Sequence, residues 1–462
     1  MALSPEESEI FKKLEQQLGD AQAGFDLADL YYDGMQRLEQ LGLAIPPELQ
    51  RFTVIVNWCL IAVDALHERL SVKGFRIPGT KSGDSELWEL WRSNKLPAKS
   101  KLGFLDALVY GRSYYCIGSN ELNPAKPLIT VESPREVITD RDYRTDRVSS
   151  ALRLYDVVNG KATAATLYLP NETIWLTSDG GDWAEVDRDQ HGMERVPVVP
   201  MFHRRRLTIP TSRTTQGVSE MAAVIPIVDS AARNLTNAQL AQETHAVPQR
   251  GVLGASKGDF VDQDGNPIPV WEAYFGAVWA LQNKDAKTFQ FDSSSMENFE
   301  RMMNLYARMA SGVTALPASY FGLAADDAAS ADAIRSREAR LVKKAELCGD
   351  NFGDPSTEAM QIALRVRDGQ WSEDAELLET LWDDPATPTV AQKTDAIVKL
   401  HTATDGQGRS LLPAEMAYEE LGWGPEKIQR ALDLRARDAE DPQLDRISRD
   451  FQDVTGASRR GQ

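Results

Sequence analysis

SMENFERMMNLYARMASGVTALPASYFGLAADDAASADAIRSREARLVKKAELC, residues 295–348, decides how the chain is read. Met296, Phe299, Met302, Met303, Tyr306, Met309 and Val313 recur at three- and four-residue steps, which predicts a helix over about Ser295 to Gly312 with one apolar stripe. Its four methionines make an adaptable surface, suited either to an ordinary core or to a seam between subunits. A Pro/Gly loop follows (Leu316-Pro317-Ala318-Ser319-Tyr320-Phe321-Gly322), then small residues from Ala324 to Ala333 that include Asp326-Asp327. A further helix starts near Ser330. Ile334, Leu341, Ala345 and Cys348 form its apolar line, and Arg335, Arg337, Arg340, Lys343 and Lys344 outnumber Asp332, Glu338 and Glu346 on the polar side. Gly349, Gly353 and Pro355 should interrupt it, with Asp354-Pro355 capping a new helix to about Val366. The run contains no catalytic cluster, and its layout suits a part repeated around an axis better than a substrate pocket.

Upstream, Met221, Ile225, Val228, Ala232 and Leu235 mark one face of a long helix from about Val218 to His245. Pro226 lies inside it and predicts a kink or a short leading segment. Pro248 closes it. The insert 249–292 is rich in Gly and Pro, with β-type runs around Val270–Tyr274 and Val278–Leu281 and a hairpin signal at Asp264-Gly265.

The flanks differ in character. Residues 1–70 read as helices, with Pro46-Pro47 separating two of them and an apolar 3/4 pattern over 48–70. A strand over Val72–Ile77 and helices over 85–93 and 98–111 follow. Residues 113–203 carry β-type runs at Ser113–Gly118, Leu128–Glu132, Val148–Val157, Thr163–Leu169, Thr173–Thr177 and Val196–Phe202, split by turns such as Asn159-Gly160. The short spacing favours antiparallel meanders. His203-Arg204-Arg205-Arg206 with Arg213 is read as a solvated basic turn, or a contact for phosphate or an acidic neighbour. From Asp368 the chain is helical, with 20 acidic residues against 11 basic. Helices are expected over 373–382, 388–402, 413–421 and 425–439, then a polar tail.

At 462 residues the chain should split into two to four modules, and with 42% apolar and 26% charged residues it has the composition of a folded protein. A net charge of −18 argues against tight duplex-DNA binding, which needs a basic patch, but not against a wall past which DNA slides. Cys59, Cys116 and Cys348 share no metal-type spacing and suit a reducing compartment. Met1 to Phe11 lacks the features of a signal peptide. The apolar stretch Phe52–Leu66 is too short for a membrane span, so no membrane partner is expected.

The phosphate-loop pattern GxxxxGK[ST] is missing, as are HExxH, GxSxG, CxxC and GxGxxG. Asp262-Gln263-Asp264-Gly265 has its glycine too early for a calcium loop and reads as a turn. Asp326-Asp327 and Asp383-Asp384 are expected by chance among 69 carboxylates. Trp88, Trp91, Trp371 and Trp382 sit at positions that look like core. No metal, cofactor or catalytic residue is expected. A carboxylate hydrolase and a shell-forming capsid or scaffold protein stand as rival readings.

Taken in order, several segments resemble the portal (head–tail connector) proteins of tailed bacteriophages, in particular the SPP1-type portals of actinobacterial phages. They are Thr244-His245-Ala246-Val247-Pro248-Gln249-Arg250-Gly251-Val252-Leu253-Gly254; Asp262-Gln263-Asp264-Gly265-Asn266-Pro267; Trp271-Glu272-Ala273-Tyr274; Val313-Thr314-Ala315-Leu316-Pro317 with Tyr320-Phe321-Gly322; Ser330-Ala331-Asp332-Ala333-Ile334-Arg335 with Glu338-Ala339-Arg340-Leu341; and Trp382-Asp383-Asp384-Pro385 with Asp395-Ala396 and Lys399-Leu400. The resemblance implies an α+β, mainly helical portal fold. Its parts would be an antiparallel β-containing wing (1–217), stem helices (218–246 and 295–313), a small α/β clip (247–294), a tunnel loop (314–330), a tunnel helix and wing return (331–367), a helical crown (368–440) and a tail (441–462).

It further implies a ring, typically of twelve subunits, at one capsid vertex. That ring would be assembled in the host cytoplasm and carried in the virion. It would pass double-stranded DNA without reading sequence, and it would meet the major capsid protein, the packaging terminase and a head–tail adaptor. Under that reading Arg335, Arg337, Arg340, Lys343 and Lys344 would face DNA or pair with acids across subunits. Leu316, Pro317, Tyr320, Phe321, Gly322, Asp326 and Asp327 would belong to a moving tunnel loop. Asp264, Gly265, Asn266, Trp271 and Tyr274 would present the clip to docking partners.

Overall fold

A computed structural model describes residues 3–37, 54–77, 84–206, 217–245, 250–253, 287–290, 296–323, 331–386, 390–423 and 425–439. The chain divides into two compact units, at Pro385/Ala386.

The first unit opens with α1 (Pro5–Tyr32), started by a capping box in which Ser4 and Glu7 satisfy each other's backbone N–H. Next come α2 (Trp58–His67), β1 (Val72–Arg76), α3 (Ser85–Ser93) and α4 (Leu96–Tyr110). Helix α2 begins at Trp58, with the Asn57 side chain accepting from Leu60 N, so the helix expected over 48–70 is shorter at its start; Pro46-Pro47 lie outside the described residues.

Six of the next eight strands match the β-type runs of the sequence, and Val137–Arg141 and Ala184–Asp189 are additional. The eight are β2 (Arg112–Gly118), β3 (Leu128–Glu132), β4 (Val137–Arg141), β5 (Val148–Val158), β6 (Lys161–Tyr168), β7 (Thr173–Thr177), β8 (Ala184–Asp189) and β9 (Val198–Phe202). All pairs are antiparallel, in sheets ordered β3-β2-β9 and β4-β5-β6-β7-β8. Asn159 and Gly160 both take positive φ and close the two-residue β5–β6 hairpin.

Strand β2 is buried on both faces. Tyr115 and Ile117 join the large helical core, while Tyr114 and Cys116 pack with Val137 and Ala151 of the five-stranded sheet. Phe11, Leu14 and Leu18 of α1 pack on Ile138, Leu152, Leu167 and Ile174 of that same sheet.

After a 3₁₀ turn (Glu220–Ala223) comes α5 (Ile225–His245), so Pro226 sits in the first turn of a helix with a short leading segment. Strands β10 (Arg250–Leu253) and β11 (Lys287–Gln290) pair antiparallel. Then come α6 (Glu297–Thr314), a 3₁₀ turn (Ala318–Phe321) and α7 (Ala331–Asp368). The break expected over 348–355 does not occur: α7 runs through Pro355. The two glycines there make room instead of ending the helix. A Cβ at Gly353 would meet the Trp382 indole nitrogen at 3.2 Å, and one at Gly349 would touch the same ring at 3.5 Å. Phe352 stacks on Phe104 of α4 at 5.3 Å. Pro355 withdraws one donor, opposite Asn351, which is exposed.

The helix expected over 373–382 is also revised. Only Glu373–Glu376 (α8) is helical. Glu379–Trp382 forms β12, which pairs with β1 some 300 residues earlier.

The second unit contains α9 (Val390–Thr402), α10 (Ala414–Glu420) and α11 (Pro425–Ala439). Ile397, Ala417 and Ile428 are buried there, and Tyr418 stacks on Trp423 at 4.8 Å.

Helix α4 crosses the three-stranded sheet at Gly103, where a Cβ would stand 2.6 Å from Val131 Cγ1 and 2.9 Å from Met201 Cε. Gly103→Ala should therefore destabilise the first unit by about 1–3 kcal/mol through overpacking, despite alanine's better helix propensity. Urea unfolding checks it; an unchanged or raised midpoint would refute the close approach.

Candidate functional site: the stem and tunnel helices

Helices α5 and α6 pack on one another, and Asn234 Nδ2 donates to Phe299 O at 3.0 Å. Of the expected face, Met221 of the 3₁₀ turn and Val228 and Ala232 of α5 are fully buried. On α6 the single stripe read from the sequence is two faces. Ala307 and Ala310 are buried, and Met303 and Tyr306 pack against the large core. Met302, Leu305, Met309 and Val313, at steps of three and four, are 39, 42, 47 and 48% exposed. Ridges at that spacing lie along one side of a helix, so the outer side of α6 is a continuous apolar strip.

Of the expected tunnel loop, the first half is anchored. Leu316 and Phe321 are buried, and Phe321 meets Trp58 edge-to-face at 5.5 Å. Tyr320 donates to Glu338 Oε1 at 3.4 Å, while Glu338 Oε2 accepts from Arg69 at 3.0 Å. Pro317 precedes the 3₁₀ turn and Gly322 ends it with φ +83°. Asp326 and Asp327 lie outside the described residues, as do Asp264, Gly265, Asn266, Trp271 and Tyr274 of the clip.

The basic residues of α7 divide. Arg337, Arg340 and Lys343 are exposed. Lys343 reaches back to Glu346 at 2.7 Å; Arg337 and Arg340 have no ion pair among the described residues. Arg335 is on the helix, but its side chain is outside the described set. Lys344 points the other way. Its amine pairs with Glu220 and donates to Thr314 O, 2.9 Å away, at the end of α6.

Glu220 is buried and its other oxygen bonds His203 Nε2 at 2.9 Å. His203 Nδ1 lies 3.7 Å from Cys348 Sγ, one turn on from Lys344. A basic turn read as solvated therefore begins with a buried histidine, and Arg205 beyond it pairs with Asp146. No local signal marks this cluster, because its members come from β9, the 3₁₀ turn, α6 and α7.

The cluster has a defined charge state. Burial lowers the His203 pKa, so the ring is neutral at pH 7, with Glu220 and Lys344 as an ion pair. Burial alone would raise Glu220; the His203 hydrogen bond and the Lys344 charge outweigh it and hold the carboxyl below its ordinary range. Burial pushes the Cys348 thiol up to about 12, so it is inert. Among the described residues no group of His, Cys, Asp and Glu is placed to hold a metal ion, and no helix is long and apolar enough to cross a membrane.

Helices α5 and α6 pack together, α6 keeps an apolar outer side, and α7 carries exposed basic residues. The family profile for "Phage portal protein, SPP1 Gp6-like" matches residues 24–424. The chain is 36% identical over 403 residues to the portal protein of Mycobacterium phage D29, covering 85% of this chain and 81% of that one. It is 35% identical over 421 residues to the portal protein of Mycobacterium phage L5, covering 89% and 84%. Among solved structures it is similar to the neck of an empty gene transfer agent particle computed with C6 symmetry (TM-score 0.44, 16% identity, 84% of this chain and 95% of that chain). It is also similar to the neck of the native particle computed with C12 symmetry (TM-score 0.39, 16% identity, 86% and 98%). The chain belongs to the SPP1 Gp6-like family of phage portal proteins.

Two changes probe the buried cluster. Glu220→Gln leaves the largely buried Lys344 ammonium without its counter-charge and should cost about 3 kcal/mol in chemical denaturation; a loss under about 0.5 kcal/mol would show the pair to be inert. Both the His203 and Glu220 shifts are downward, so the unfolded chain binds more protons below each ordinary value. Stability from His203 is full above about 6.5 and falls as pH drops beneath it; that from Glu220 starts to fall below about 4.5. Between pH 7.5 and 5.5 the thermal midpoint of wild type should fall more than that of His203→Gln; equal falls would refute the assignment.

Proposed function

We propose that copies of this chain close into a ring, of about twelve as the family resemblance implies, at one capsid vertex. The ring forms the channel for double-stranded DNA in packaging and ejection. It sits in the virion against the major capsid protein, docks the terminase during packaging and a head–tail adaptor afterwards, and works without catalysis. The observation that carries this is the apolar strip Met302, Leu305, Met309 and Val313. Its opposite side is already packed, and among the described residues nothing covers the strip. A heterologous contact between such a strip and the flank of the next copy closes into a ring when the rotation is right, and burial removes apolar surface from water.

The charge balance suits the role. At −18 each, twelve copies would carry on the order of −200 charges, screened beyond roughly 10 Å in ordinary salt. A wall of that sign repels phosphate at close range, and DNA slides past it. Arg337 and Arg340 supply transient, sequence-blind phosphate contacts. Lys344 leaves that set, because its amine is held by Glu220 and Thr314.

The test is Leu305→Glu with Met309→Glu. Negative-stain microscopy and mass photometry should show rings for wild type, and a folded subunit of unchanged circular dichroism that no longer assembles for the double variant. Rings of normal yield from the variant would contradict the seam. Arg337→Gln with Arg340→Gln should leave rings intact and lower nuclease-protected DNA per head several-fold; unchanged DNA content would take those residues off the channel wall.

A further inference from the structure

A cavity of about 390 Å³ opens in the wing between β2, β4, the ends of β5 and β9 and helix α7. Arg112, the first residue of β2, lines it and is only 2% exposed. Its Nε and Nη2 are buried and have no hydrogen-bond partner, and no carboxylate pairs with it among the described residues. The Phe25 ring lies 5.3 Å from its guanidinium carbon, and a ring face offers far less than a guanidinium loses on leaving water. A buried arginine left in that condition needs an anion.

The surroundings supply further positive charge. Arg141 and Arg205 share one carboxylate, Asp146, which leaves that trio one charge in excess. Arg147 lines the cavity with no ion pair among the described residues. Asp140 is neutralised by Lys13 at 2.5 Å. Asp354 and Glu358 of α7 are the remaining acids; burial pushes the Glu358 carboxyl up, and Arg147 and Arg195 are the positive charges nearest it. With Asp140 paired to Lys13, the four lining arginines outnumber Asp146, Asp354 and Glu358.

We propose that this cavity binds a small tetrahedral oxyanion, of the phosphate class, held by Arg112 and flanked by Arg205, Arg141 and Arg147. Guanidinium groups match such an oxyanion through paired N–H donors. An anion there would lock β2, β9 and α7 together. Without the anion, Arg112 is a buried, uncompensated charge.

Thermal unfolding of the full chain with inorganic phosphate, at ionic strength held constant with sodium chloride, tests this. Wild type should show a saturable rise in midpoint, and at one hundred times the half-saturating concentration the unfolding constant should fall about a hundredfold. Arg112→Gln should be at least as stable as wild type without phosphate and show no response to it. A rise that never saturates, or one of equal size in Arg112→Gln, overturns the proposal. Should Arg112→Gln fail to fold, Arg147→Gln decides: a several-fold higher half-saturating concentration supports the site, and an unchanged one overturns it.

Discussion

Glu220 joins three elements of the fold at one buried point. One buried carboxylate takes Lys344 of α7 on one oxygen and His203 at the end of β9 on the other, and Lys344 in turn holds the last carbonyl of α6. Three elements that could slide past one another are thereby tied at one point. A charged pair in that position is stabilising only while every member is satisfied, so the junction has one arrangement and resists intermediate ones. Because α6 is also pinned along Ala307 and Ala310, its outer strip faces away from the body in a fixed direction. The seam of the proposed ring inherits its geometry from that tie.

Much of the wing was legible because its turns are chemically explicit. Asn159-Gly160 adopts the two positive φ angles that its composition permits, and the flanking strands fall in register. The six strands read over 113–202 from β-branched and aromatic runs all exist, while the runs at Val270–Tyr274 and Val278–Leu281 lie outside the described residues. Val137–Arg141 and Ala184–Asp189, the two edge strands of the five-stranded sheet, escaped because both are short and carry little apolar signal.

The errors share a cause: the deciding partner is distant in sequence. Glu379–Trp382 is a strand because β1 offers it an edge, and Gly349 and Gly353 are glycines because Trp382 lies on them. Local propensity sees neither. The methionine stripe was found but not divided, because periodicity marks apolar positions without saying which side already has a neighbour. His203, Glu220 and Lys344 were separate readings, a basic turn, an unremarked acid and a channel lysine, until the fold brought them together.

The account rests on α6 carrying an apolar side that only another copy covers. Met302 and Met309 stand on that side, and Met303 faces the core, so peroxide oxidation read by mass spectrometry reports it directly. Both Met302 and Met309 should oxidise readily in unassembled subunits and become protected at least tenfold in assembled rings, with Met303 slow in both. Equal oxidation of Met302 and Met309 before and after assembly would contradict the account.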